Sequence, residues 1–323
     1  MTLHIKALAA ATLFAAAPLR AETPRFHLPL ACTLGQDCFI QQYVDHDTGP
    51  GAHDFTCAPH SYDGHKGTDF ALPTLADLDR NVAVRAAAPG TVRSTRNDMP
   101  DTLYHEDHAD ALRGRDCGNG LIIDHAGGWS TQYCHMAQGS VRVTPGQTVQ
   151  TGAPLGVVGL SGRTQFPHLH LTIREDDRIV DPFAPDGHVA CDTRPAATLW
   201  AGDVAYMPGG LLAIGFATGL PEFDAVRAGK ADHQITDQSA ALVLWALAFG
   251  GYKDDSIRLD ITGPDGRIVQ HNAKLEKTQA QLFRGAGKRR PDGGWPAGDY
   301  TGTVLMIRDG LVIDSRTRRF TLP

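Results

Sequence analysis

Three short stretches of this sequence hold side chains able to do chemistry. The first is Pro167-His168-Leu169-His170-Leu171-Thr172-Ile173. It follows a Gly/Ser/Pro-rich turn and precedes Asp176-Asp177, so it predicts a β-strand. Side chains alternate between the faces of a strand. Leu169, Leu171 and Ile173 therefore share a core face, and His168, His170 and Thr172 share the other. Two imidazoles side by side can reach one ion, and imidazole is a common zinc ligand. Taken alone, the pair reads equally well as two solvated histidines on an edge strand. The second stretch, Gly64-His65-Lys66-Gly67-Thr68-Asp69-Phe70, offers a His and an Asp four apart, with Gly67 between them to permit an unusual backbone. The third, Tyr133-Cys134-His135-Met136, follows the apolar run Gly120-Leu121-Ile122-Ile123-Asp124. A catalytic zinc typically takes three protein ligands and keeps one position open. His65, Asp69 and one histidine of the His168/His170 pair meet that quota. The other histidine and His135 are left for proton transfer.

The same residues carry a family resemblance. His65-Lys-Gly-Thr-Asp69, Tyr133-Cys-His135-Met and Pro167-His168-Leu-His170 resemble, in order and spacing, the three signature segments of the lysostaphin-type (LytM-like) zinc metallopeptidases. The resemblance covers about residues 62–183. It includes the glycine-punctuated run from Val149 through Gly152, Gly156 and Gly159 to Gly162. Departures from the common pattern are an insertion at residues 97–115 and cysteines at 57, 117, 134 and 191. The resemblance implies one zinc ion per chain, held by His65, Asp69 and His170. It also implies two free histidines, His135 and His168, which activate water and stabilise the oxyanion. The implied reaction is hydrolysis of peptide cross-links in bacterial peptidoglycan. Degenerate relatives that only bind the wall, or activate a separate amidase, typically lack one or more of these groups. All five are present here, which favours an enzyme.

The chain has 323 residues, enough for one large or two ordinary domains. Its 35 Gly and 20 Pro favour turns and strands over a helical bundle. A formal net charge of -6 gives no reason to expect nucleic-acid binding. Lys6 followed by the apolar residues 7–18 reads as a secretory signal with cleavage after Ala21, and the run is too short to span a bilayer. The expected location is the periplasm or the exterior, with no stable membrane insertion once the signal is removed. Six cysteines in an exported chain suggest disulfides, in any of fifteen connectivities. Short loops favour Cys32–Cys38. Cys117 and Cys134 flank a hairpin through Ala126-Gly127-Gly128, which leaves Cys57 with Cys191.

The elements that must position these groups are β throughout. Residues 22–61 read as an N-terminal extension that wraps the peptidase core, with Asp45-His46-Asp47 and His53-Asp54 in a polar surface loop. The 97–115 insertion, with His105 and His108, reads as a surface loop. His125 reads as structural, Ser161 as a turn residue and Arg163 as a solvated loop cation. Residues 62–190 form the expected peptidase domain, an antiparallel sheet. After a linker, residues 199–323 alternate short apolar runs with turn signals, as in a small β-sandwich, for which an immunoglobulin-like arrangement is one option. No chemical motif lies in that second domain; a cell-wall partner protein is one role for it. The fold class expected is all-β.

Overall fold

The structure is a computed structural model that describes residues 23–187, 189, 191 and 197–323, apart from the side chain of His108. The expected signal segment, residues 1–21, and part of the expected linker lie outside the described residues. Among the described residues no helix is long and apolar enough to cross a membrane.

Among the described residues the first half contains ten strands: β1 (Phe39–Gln42), β2 (Thr68–Ala71), β3 (Ala83–Arg85), β4 (Gly90–Arg96), β5 (Asn119–Asp124), β6 (Trp129–Met136), β7 (Thr148–Val149), β8 (Pro154–Val157), β9 (His168–Glu175) and β10 (Arg178–Ile179). Seven of them form an antiparallel sheet in the order β1-β2-β9-β6-β5-β4-β7, with β10 added beside β9; β3 and β8 pair separately. The core lies under one face. Alternation puts Leu169, Leu171 and Ile173 of β9 into it, with Tyr133, Phe70 and Ile40 from the neighbouring strands. The opposite face of β9 carries the histidines.

Two parts of this half depart from the sequence reading. The N-terminal residues do more than wrap, since β1 is an edge strand of the same sheet. Within them Asp54 is fully buried and not in a polar surface loop. Its carboxylate accepts from Thr56, the Ala58 amide and the Tyr206 hydroxyl. The insertion is not a plain loop either. It contains a 3-10 turn at Glu106–His108 and the short helix α1 (Ala109–Leu112), and it buries Met99 and Tyr104. All three expected disulfides, Cys32–Cys38, Cys57–Cys191 and Cys117–Cys134, are present.

The second half contains β11 (Gly210–Ala217), α2 (Phe223–Arg227), β12 (Ala241–Gly251), β13 (Ser256–Gly263), β14 (Gly266–Lys274), β15 (Gln279–Arg289), β16 (Gly298–Arg308) and β17 (Leu311–Leu322). They make a three-stranded sheet, β11-β12-β15, and a four-stranded sheet, β14-β13-β16-β17. One core joins both, with Leu242, Leu244 and Ala246 from one sheet meeting Ile257, Leu259 and Val304 from the other. An immunoglobulin constant domain sets its fourth strand beside the fifth; here the fourth strand, β14, pairs with the third, β13. Strand β12 is apolar along its length because both faces are covered. Leu242 and Leu244 face the sandwich interior, while Trp245, Leu247 and Phe249 enter a separate cluster with Phe39 of β1. Phe39 and Ile40, adjacent on β1, therefore serve different cores and join the two halves.

Candidate metal centre

Strand register assembles the centre. Asp69 on β2 lies directly opposite His170 on β9, and His170 lies opposite Cys134 on β6. Residues paired in this way face the same side. The row Asp69–His170–Cys134 is thus on the polar face, and the next row, Thr68–Leu171–Tyr133, is on the core face. His65 reaches the row from the turn before β2, where its amide donates to the Tyr62 carbonyl. Gly67 does not have the unusual backbone expected of it, since its φ is not positive. What glycine provides there is closeness. A Cβ at position 67 would stand 2.5 Å from the Leu171 carbonyl oxygen and 2.7 Å from His170 Nε2.

Three atoms converge. His65 Nε2 is 3.2 Å from Asp69 Oδ1 and 3.1 Å from His170 Nδ1, and His170 Nδ1 is 2.8 Å from Asp69 Oδ1. The far nitrogens fix which ring atom faces inward. His65 Nδ1 donates to the Tyr43 carbonyl at 2.6 Å, and His170 Nε2 meets the Thr172 hydroxyl at 2.9 Å. The outer contacts leave His65 Nε2 and His170 Nδ1 as the ring atoms turned toward the carboxylate oxygen, the arrangement that outer partners give metal-bound histidines. The group could hold a metal ion. Zinc bonds of about 2.0–2.1 Å in a tetrahedron set ligand atoms about 3.3 Å apart, so the donor set and spacing fit zinc.

Two further imidazoles border the cluster. His168 Nε2 is 3.5 Å from Asp69 Oδ1, while its Nδ1 is 3.0 Å from the Phe166 carbonyl and 3.0 Å from Thr164 Oγ1. His135 Nδ1 donates to the Ser161 carbonyl at 2.8 Å, and the two rings are 4.7 Å apart. His135 has φ of 64°, a left-handed conformation that costs a non-glycine residue of order 1 kcal/mol. It ends the regular run of β6 and is held by bonds from its amide to the Cys117 carbonyl and from the Gly159 amide to its own. Burial pushes His135 well below the ordinary imidazole range, helped by His168 and His170 nearby. Burial also lowers His168, against the opposing pull of Asp69. Both shifts favour the neutral imidazole. Burial favours a protonated Asp69, but His65, His168 and the imidazole hydrogen bonds outweigh it and hold the carboxyl well below the usual range.

Residues 63–182 match the family described as "Peptidase family M23". This segment is an M23 peptidase domain. Similar curated proteins include "Peptidoglycan DD-endopeptidase ShyA" of Vibrio cholerae, 33% identical over 106 residues, covering 33% of this chain and 19% of that protein. Another is "DD-carboxypeptidase/endopeptidase Mpg" of Neisseria meningitidis, 31% identical over 132 residues, covering 39% of this chain and 23% of that one. The chain thus spans about a fifth to a quarter of the length of these relatives. The catalytic domain of lysostaphin from Staphylococcus simulans aligns at 20% identity with a TM-score of 0.26, over 44% of this chain and 85% of that one.

Around the M23 domain's centre, His65, Asp69, His135, His168 and His170 all come together. The histidines outside it do other work. His125 bonds the Pro89 carbonyl and Thr131, and His46 pairs with Asp181 at 2.8 Å. Several supporting residues escaped the sequence reading. Ser161 is more than a turn residue: it is buried, its hydroxyl donates to the Met136 carbonyl and accepts from the Asn119 amide, and its carbonyl aims His135. Tyr62 lies over His65 with ring centres 4.4 Å apart, and Phe166 stacks on His168 at 4.3 Å. Arg163 sits over the Tyr104 ring. Only Thr172 had a signal in the sequence, because it shares the strand face of His168 and His170.

Proposed function

We propose that this protein is an exported zinc metalloendopeptidase that hydrolyses peptide cross-links of bacterial peptidoglycan. The observation that carries the reading is the convergence of His65 Nε2, Asp69 Oδ1 and His170 Nδ1 within 3.2 Å, with two buried, oriented imidazoles beside them. His65, Asp69 and His170 hold the ion. Zinc, when bound, supplies a Lewis acid that polarises a carbonyl and acidifies water. His168, with Nδ1 engaged by Phe166 and Thr164, keeps Nε2 free to take a proton from the attacking water and return it to the leaving amine. His135, whose Nδ1 donates to the Ser161 carbonyl, has Nε2 left for the cleft, and it stabilises the oxygen that becomes negative when Nε2 also carries a proton. Tyr62, half exposed beside His65, and Phe166 form apolar walls at the mouth.

Peptidoglycan stems are the substrate that the names of the similar proteins support. Export is supported by three disulfides, which persist in oxidising compartments, and by the signal-like sequence of residues 1–21. Residues 199–323 act in this reading as a separate sandwich domain that steadies the peptidase or meets a cell-wall partner. A non-catalytic role as a wall binder or amidase activator is disfavoured because all five site groups are in place. The test is zinc analysis of purified protein, then digestion of isolated peptidoglycan with and without a chelator. One zinc per chain with chelator-sensitive release of peptides supports the proposal. Full zinc without any release of peptides from peptidoglycan overturns it.

A further inference from the structure

We infer that Arg227, from the C-terminal half of the chain, is a positioning residue for His168. This rests on the proposed role of His168 in the reaction. The ring of His168 is aimed by two residues of the loop before β9. Thr164 Oγ1 and the Phe166 carbonyl each lie 3.0 Å from His168 Nδ1, Thr164 Oγ1 also donates to that carbonyl at 2.7 Å, and the Phe166 ring stacks on the imidazole with 22° between planes. Gln165, between them, is exposed. Its carbonyl accepts a hydrogen bond from the Arg227 guanidinium at 2.5 Å, across 62 residues of sequence.

Arg227 is itself held in place. It is the last residue of α2, and the preceding Val226 is fully buried in the cluster that contains Trp245 and Phe249. Two residues later Gly229, with φ of 72°, packs its backbone against the peptidase half; a Cβ there would stand 2.6 Å from Thr74 Oγ1 and 2.7 Å from the Ala76 Cβ. The guanidinium is thus presented from an anchored helix end to an exposed loop. A charge-assisted bond to the 165 carbonyl restrains the peptide unit that leads into Phe166. Both the carbonyl and the ring that orient His168 belong to that next residue. Misplacing a reacting group by about 1 Å is enough to cost on the order of a hundredfold in rate. The C-terminal sandwich, which has no chemical motif of its own, therefore contributes to the reaction by fixing the rim of the cleft.

The test uses the full chain with Arg227→Ala and Arg227→Lys, and His168→Ala as reference. Zinc content, melting temperature, and kcat and KM on a soluble cross-linked muropeptide are measured. Nitrogen-labelled histidine NMR of the metal-free protein reads the His168 Nδ1 hydrogen bond. Arg227→Ala is expected to keep zinc and fold, to lose about tenfold or more in kcat with KM little changed, and to shift the His168 Nδ1 signal; Arg227→Lys should recover most of both. Unchanged kcat and an unchanged His168 signal in Arg227→Ala, with His168→Ala inactive, overturn the positioning role alone. Loss of stability and zinc that Lys does not restore overturns it in favour of simple structural support. Full activity in His168→Ala overturns the reaction reading, and the positioning role with it.

Discussion

Replacing Gly67 by alanine tests the closest approach in the metal centre. The added Cβ would meet His170 Nε2 at 2.7 Å and the Leu171 carbonyl oxygen at 2.5 Å, where ordinary contact begins at 3.4 Å. Relief requires the start of β2 and the middle of β9 to part by about 0.7–0.9 Å, or the imidazole to turn by a similar distance. Overpacking of this kind typically costs about 1–3 kcal/mol. The atom displaced is not incidental. His170 Nε2 makes the 2.9 Å bond to Thr172 that keeps Nδ1 facing Asp69. Loss of such an outer partner typically lowers metal affinity about 10–100-fold. Gly67→Ala should therefore remain folded, with a urea midpoint lowered to match the strain, and should bind zinc about ten- to a hundredfold more weakly. Competition against a chelator of known zinc affinity gives the second quantity, and urea titration of metal-free protein gives the first. Wild-type zinc affinity together with wild-type stability would refute the close packing of β2 on His170.

Single removal of His65, Asp69 or His170 to alanine should deplete bound zinc and abolish hydrolysis; full zinc in Asp69→Ala, at a chelator concentration that wild type just withstands, would remove it from the ligand set. His168→Ala and His135→Ala should instead keep near-stoichiometric zinc while losing about a hundredfold or more in hydrolysis, and normal specific activity in either excludes that residue from the mechanism. Acid should loosen the joint between the two halves through His60, whose Nε2 lies 3.0 Å from the Pro208 carbonyl and 2.9 Å from the Tyr252 hydroxyl. Burial, reinforced by Arg308 and opposed by Asp54, lowers this imidazole to about 4. The unfolded chain takes up the proton near pH 6.5 and the folded one does not, so the contribution of His60 is complete above that pH and drains away as the pH falls toward about 4. The total is about 3 kcal/mol. Urea midpoints measured across this window should fall in wild type and fall less in His60→Gln; identical slopes would exclude His60 as the source.

What the sequence determined by itself was whatever depends on neighbouring residues alone. Alternation along a strand is a local property, so placing His168, His170 and Thr172 on one face needed no knowledge of the rest of the fold. Which histidine of the pair joins Asp69 was not a local matter. Composition left either one eligible, and only the family resemblance pointed to His170. The deciding fact is register: Asp69 opposes His170, and Ala71 opposes His168. A slip of two residues would exchange them, and register is set by which non-local side chains pack, not by the strand's own propensity. The same reason hid the groups that aim each ring. The Tyr43, Ser161 and Phe166 carbonyls belong to backbone, which every residue has, so no residue type marks them. Gly67 was readable as special but not as to why, because its cause is the strand lying against it. The reach of Arg227 to the Gln165 carbonyl lay furthest from view, since it depends on how two separately built cores meet.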